Sequence, residues 1–61
     1  MYIINKKGEI FNTEAIPQIT SNGAQVYAVF GNTPRPISYS ADSITTIADG
    51  IRDGCVYVEV E

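Results

Sequence analysis

A chain of 61 residues with one cysteine and no histidine has no staple available to it. Cys55 cannot form an intrachain disulfide, and no set of ligands for a zinc cage is present. A chain this short hides only about 60% of its unfolded surface on folding, so one modest apolar core must hold it together. Domains of this size that lack disulfides and metals commonly gain stability by associating. Oligomerisation is therefore expected.

Charge narrows the partners. The formal net charge is −3, and the only cations are Lys6, Lys7, Arg35 and Arg52. Four scattered cations do not make the basic stripe that displaces counterions from nucleic acid, nor the polybasic cluster that seeks an anionic membrane. The apolar runs are a few residues long, far short of the roughly 20 that span a bilayer. Met1-Tyr2-Ile3-Ile4-Asn5 has neither the basic segment nor the apolar region of a signal peptide. Nucleic acid and membrane are excluded as expected partners, and a reducing, cytoplasmic setting is expected.

Periodicity supplies the architecture. Tyr2-Ile3-Ile4-Asn5 and Glu9-Ile10-Phe11-Asn12 are short β-prone runs joined through Lys6-Lys7-Gly8, which reads as a hairpin with Gly8 left-handed. Pro17 breaks the pattern, and Gln18-Ile19-Thr20 resumes it. Asn22-Gly23 suits a tight primed turn, and Ala24 to Phe30 follows as a central strand. Gly31 to Pro36 reads as a loop stiffened by two prolines, and Ile37 to Ser40 as a fourth strand.

The period then changes. Ala41, Ile44, Ile47, Ala48 and Ile51 recur at helical spacing, with Ser40 or Asp42 as cap and either Gly50 or Gly54 as terminator. Cys55 to Val60 alternates as a closing strand. The expectation is one α+β domain over residues 1–61: a small antiparallel meander, one helix in the second half packed on one face, and a final strand (β-β-β-β-α-β).

One helix covers one face of a sheet. Ile44, Ile47, Ala48 and Ile51 should pack on Ala24, Val26, Ala28 and Phe30 with Val56, Val58 and Val60. The opposite face would carry Tyr27, Val29, Cys55 and Tyr57, plus whichever of Ile3 and Phe11 points that way, a candidate oligomer or partner interface, since exposed apolar patches rich in tyrosine mark such sites. The alternative is a sheet curled into a small barrel that buries both faces.

Catalytic chemistry has little to work with. Cys55 lacks a histidine base, and no glycine-rich phosphate loop is present. No catalytic residue, metal or cofactor is expected. Asp42, Asp49 and Asp53 share a stripe opposite the isoleucines, either a ridge for a basic partner or an ordinary solvated face with Arg52 offsetting Asp49. Arg35 between Pro34 and Pro36 is a candidate anion contact, or simply part of a stiff loop.

Met1-Tyr2-Ile3-Ile4-Asn5-Lys6-Lys7-Gly8-Glu9-Ile10-Phe11-Asn12, followed by Asn22-Gly23 and a late helix, resembles many short uncharacterised proteins of bacteria and their phages. The resemblance carries no functional residue across. It implies a setting, accessory proteins of phages or mobile elements, in which small non-enzymatic inhibitors and ligand sponges are common. The expected function is a homo-oligomeric module that binds a larger protein. The alternatives are an oligomeric sponge for a nucleotide-like ligand, held by tyrosines and Arg35, and a structural assembly component.

Overall fold

The computed structural model describes all 61 residues. Its fold class is the expected one: α+β, with one helix late in the chain and a strand after it. The strands, however, divide between two three-stranded sheets and do not form one meander. The first sheet has the order β2-β1-β6, from β1 (Tyr2–Ile4), β2 (Ile10–Asn12) and β6 (Tyr57–Glu59). The second is an antiparallel meander of β3 (Gln18–Ser21), β4 (Val26–Phe30) and β5 (Thr33–Ser38). Helix α1 (Ser43–Asp53) carries the chain from the second sheet back to the first, where β6 pairs parallel to β1. A parallel pair requires such a crossover, because no tight turn can join strands running the same way.

The two sheets share one core. Ile3 and Phe11 come from the first sheet, Val26, Ala28 and Ile37 from the second, Ile47 from α1, and Val60 follows β6. Asn5 ties the sheets together. Its Nδ2 donates to the Ile37 carbonyl at 2.8 Å, and its Oδ1 accepts from the backbone N–H groups of Lys7 and Glu9. The same side chain thus shapes the β1–β2 turn and reaches across the core. Gly8 closes that turn at φ +80°, as its sequence position predicts.

The primed turn falls elsewhere than expected. Asn22-Gly23 opens a four-residue loop, in which Asn22 Oδ1 accepts from the N–H groups of Ala24 and Gln25. The two-residue hairpin is Gly31-Asn32, with Phe30 opposite Thr33 and positive φ at Gly31 alone, the pattern of a II′ turn. Pro34 and Pro36, expected in a loop, lie within β5. They are tolerated because β5 is an edge strand, where a missing N–H breaks no ladder bond. A bulge at Val26/Tyr27 lets Ile37 and Ser38 both turn inward, where a regular strand would bury only one.

The helix is rotated from its expected setting. Ser43, Ile47 and Gly50 are buried, Ile44 is half-buried, and Ala48 and Ile51 face water. The cause is Gly50: a Cβ there would come within 2.5 Å of Val58 Cγ1 and 2.9 Å of Met1 Sδ. Its missing side chain lets the helix backbone settle onto the first sheet, a closer approach than an isoleucine stripe allows. The helix ends at Gly54, with φ +71° and paired bonds from Gly54 N–H to the Ile51 carbonyl and from Cys55 N–H to the Gly50 carbonyl. At its start Asp42 makes no side-chain cap bond. The first turn is anchored instead by a buried contact of 2.8 Å between Ser38 Oγ and Ser43 Oγ.

The inward set of the central strand shrinks accordingly. Val26 and Ala28 are buried, but Ala24 lies in the loop and Phe30 is exposed. Of the three valines expected inward from the last strand, only Val60, just beyond β6, is buried; Val58 is half-buried under α1, and Val56, just before β6, is 76% exposed. No helix is long and apolar enough to cross a membrane.

Candidate functional site

The strand registers define the outer face of the first sheet. Tyr2 lies opposite Asn12 on one side and Tyr57 on the other, while Ile4 lies between Ile10 and Glu59. Residues paired this way point to the same side, and alternate residues Ile3, Phe11 and Val58 point into the core. The outer face therefore presents Tyr2, Ile4, Ile10 and Tyr57, with Asn12 and Glu59 at its margins. Nothing in the fold covers it. Tyr2 is 46% exposed, Tyr57 55% and Ile10 66%.

Three local devices hold this face in shape. The Asn5 turn fixes the β1–β2 register. Gly50 lets α1 pack tightly behind β6, and the left-handed Gly54 turns the chain sharply into it. Bonds of 2.9 Å from Tyr2 N–H to the Val56 carbonyl and from Val60 N–H to the Ile4 carbonyl lock β6 to β1.

The electrostatics around it are one-sided. Every cation is occupied: Lys6 pairs with Glu61 at 2.6 Å, Arg35 with Glu9 at 3.4 Å, and Arg52 with Asp49 and Asp53 at 3.3 and 3.1 Å. Lys7 sits over the Tyr39 ring at 4.9 Å. Glu14, Asp42 and Glu59 have no cation, and Glu59 borders the tyrosine face. Glu9 is held below the usual carboxylate range. The hydrogen bond from Asn5 is the main cause, with Arg35 and Lys7 adding to it and partial desolvation opposing.

The residues singled out in the sequence are dispersed by this fold. Tyr27 and Val29 sit half-buried on β4 of the second sheet, Tyr57 belongs to the first, and the exposed Cys55 lies in the connection from α1 to β6, so these four do not share one sheet face. Asp49 and Asp53 are both engaged by Arg52, and Asp42 stands at the head of α1. Arg35 is in β5, paired with Glu9 and 5.9 Å from the Phe11 ring. Tyr2, Ile4 and Ile10 complete the face around Tyr57. Alternation within the opening hairpin could have placed these three together, but nothing in the sequence announces that β6 docks beside them.

A second feature is a cleft of about 670 Å³ where the first sheet meets the head of α1. Asn5, Lys6, Asp42, Thr46, Glu59 and Glu61 line it, and only Ile4 and Val60 among its lining residues are apolar. Small-molecule sites are lined mainly by apolar and aromatic groups. No three side chains among Cys, Asp and Glu are arranged to hold a metal ion. Comparison with protein-family models, curated proteins and solved structures returns no match.

Proposed function

We propose that this chain is a non-enzymatic protein-binding module, an accessory or inhibitory protein of bacterial or phage type acting in a reducing, cytoplasmic setting. Its docking surface is the outer face of the first sheet. The observation that carries this reading is the exposed group of Tyr2, Ile10 and Tyr57 around a half-buried Ile4 on one sheet face of a domain whose core holds seven apolar residues. A chain with so few apolar side chains to bury gains nothing in stability by leaving these in water. Tyrosine suits a docking face, since its ring supplies apolar area and its hydroxyl keeps a hydrogen bond when covered.

The margin names the partner's chemistry. With all four cations engaged elsewhere and Glu59 unpaired, the face favours a protein whose apolar contact patch is rimmed by lysine or arginine. The test is capture by the immobilised chain, identification of the captured protein, and reconstitution from purified components. Ile10→Ser and Tyr2→Ser should each weaken the reconstituted complex tenfold or more, while Tyr39→Ser, at an exposed tyrosine outside the first sheet, should leave it unchanged. Equal affinity of all three variants and the wild type would remove this face from the account.

A further inference from the structure

The free edge of the first sheet carries a second surface. In β6 the even-numbered residues face β1: the Val56 carbonyl accepts from Tyr2 N–H, and Val60 N–H donates to the Ile4 carbonyl. A strand bonds alternately to its two sides, so the N–H and C=O of Tyr57 and Glu59 point away from β1. No strand lies beyond β6. Cys55, Val56, Tyr57 and Glu59 are all exposed along this edge. Edge strands left open in this way are templates for another chain; the protein blocks its β5 edge with Pro34 and Pro36, whereas on this short edge only the charge of Glu59 opposes pairing.

We propose that β6 pairs antiparallel with β6 of a second copy of this chain, with Tyr57 opposite Tyr57 on the two-fold axis. The register follows from charge and from parity. An axis perpendicular to the sheet must pass through a residue pair, so that both helices stay on one side. Placing the axis at Glu59 sets carboxylate against carboxylate. Placing it at Val58 leaves the two Glu59 side chains as diagonal neighbours. Placing it at Tyr57 sets the two Glu59 side chains furthest apart of the three, each beyond the start of the other copy's β6, where the chain carries the uncharged Cys55 and Val56. The backbone agrees. Tyr57, the first residue of β6, exchanges two hydrogen bonds with its equivalent, and the bend at Val56 ends the ladder beyond it.

The helices fit this arrangement. Gly50 approaches both Met1 and Val58, so α1 lies over the boundary between β1 and β6. Its mate then lies two strand spacings away, about 10 Å, which is the usual separation of packed helices. The pairing also joins the two outer faces into one six-stranded face, with Tyr2, Tyr57, Tyr57 and Tyr2 in a single row. That bears on area. A stable interface takes about 800 Å² from each partner, a fifth of the 3903 Å² surface of one copy, and three strands of three residues are small for it. Dimerisation doubles the platform without depending on whether a partner docks there.

Sedimentation velocity over a wide concentration range tests the dimer, and cysteine cross-linking tests the register. The wild type should pass from monomer to dimer as concentration rises. Tyr57→Pro removes an N–H that faces solvent in the monomer, so it should keep the circular dichroism spectrum and lose the dimer. Should that variant fail to fold, Tyr57→Lys places like charges on the axis and should raise the dimer dissociation constant tenfold or more. In a Cys55→Ser background, Tyr57→Cys should oxidise to a covalent dimer, because the paired Cα atoms stand about 5.5 Å apart, within disulfide range. Glu59→Cys in the same background should not. A wild type that stays monomeric throughout, a dimer that survives Tyr57→Lys, or faster cross-linking at position 59 than at 57 would each overturn the proposal. None of these readouts involves a partner protein, and Ile10→Ser should leave all of them unchanged, so failure here is separable from failure of the docking face.

Discussion

Asn5→Ala removes the side chain that joins the two sheets, and the structure sets the size of the effect. Asn5 is 7% exposed and uses both ends of its amide. Oδ1 accepts from Lys7 N–H at 3.1 Å and Glu9 N–H at 3.0 Å, and Nδ2 donates to Glu9 Oε1 at 3.0 Å and to the Ile37 carbonyl at 2.8 Å. The two N–H groups lie in a turn that water reaches, so their loss is partly made good. The bond to Ile37 is buried, and a buried polar group left without a partner costs about 1–3 kcal/mol. With the weaker turn contacts added, Asn5→Ala is expected to cost about 2–3 kcal/mol. A 61-residue domain has only about 3–9 kcal/mol to lose, so the melting midpoint should fall by roughly 10–20 °C. Urea unfolding followed by circular dichroism measures this directly. Asn5→Asp keeps the acceptor contacts, yet it sets a carboxylate against the Ile37 carbonyl and Glu9. It should be no more stable than alanine at neutral pH. A loss of less than about 0.5 kcal/mol for Asn5→Ala, the level of an unremarkable surface change, would refute the role of Asn5 as the tie between the sheets.

Further expectations follow from other contacts. Gly50→Ala should destabilise by about 1 kcal/mol, because overpacking against Val58 and Met1 outweighs the gain in helix propensity. Adding Val58→Ala should recover part of that loss, and a double-mutant cycle by urea unfolding reads the coupling. The Glu9 carboxyl titrates lower in the folded state than in the unfolded, so its contribution is present above the unfolded pKa and lost as pH falls through the folded one. Glu9→Gln should therefore flatten the acid side of the stability–pH curve. Ser38→Ala strands the buried Ser43 hydroxyl, whereas Ser43→Ala leaves Ser38 Oγ its contacts with Ser40, so Ser38→Ala should cost more and the double replacement less than the sum of the singles in chemical unfolding.

Much of the element order is legible in the sequence, and the losses have physical reasons. The Gly8 hairpin, the helical period from Ile44 onward and the alternation after Cys55 each depend on local conformation, which the residues themselves dictate. Sheet membership does not. Whether β6 joins β4 or β1 depends on which pairing buries more, and Val56, Val58 and Val60 serve either choice equally well. The isoleucine period pointed to the stripe with the most apolar area. Gly50 overrides it, because close backbone approach buries Ile47 and half-buries Val58 at the expense of Ile51. Pro34 and Pro36 read as loop only under the assumption of a central strand, and at an edge their missing N–H groups cost nothing. The candidate surface was half visible for the same reason. Tyr57 was singled out, but only the parallel pairing of β6 with β1 sets it beside Tyr2 and the face that the β1–β2 hairpin forms with Ile10.

The measurement that bears most directly on the account is the affinity of a purified protein partner for variants of two opposed surfaces, read by isothermal titration calorimetry. One set carries Tyr2→Ser and Ile10→Ser on the sheet face; the other carries Asp49→Lys and Asp53→Lys on the helix. The account predicts that the first set binds at least tenfold more weakly while the second keeps near-wild-type affinity. Binding that survives the sheet-face changes and collapses with the helix changes would contradict it and move the docking surface to the acidic ridge.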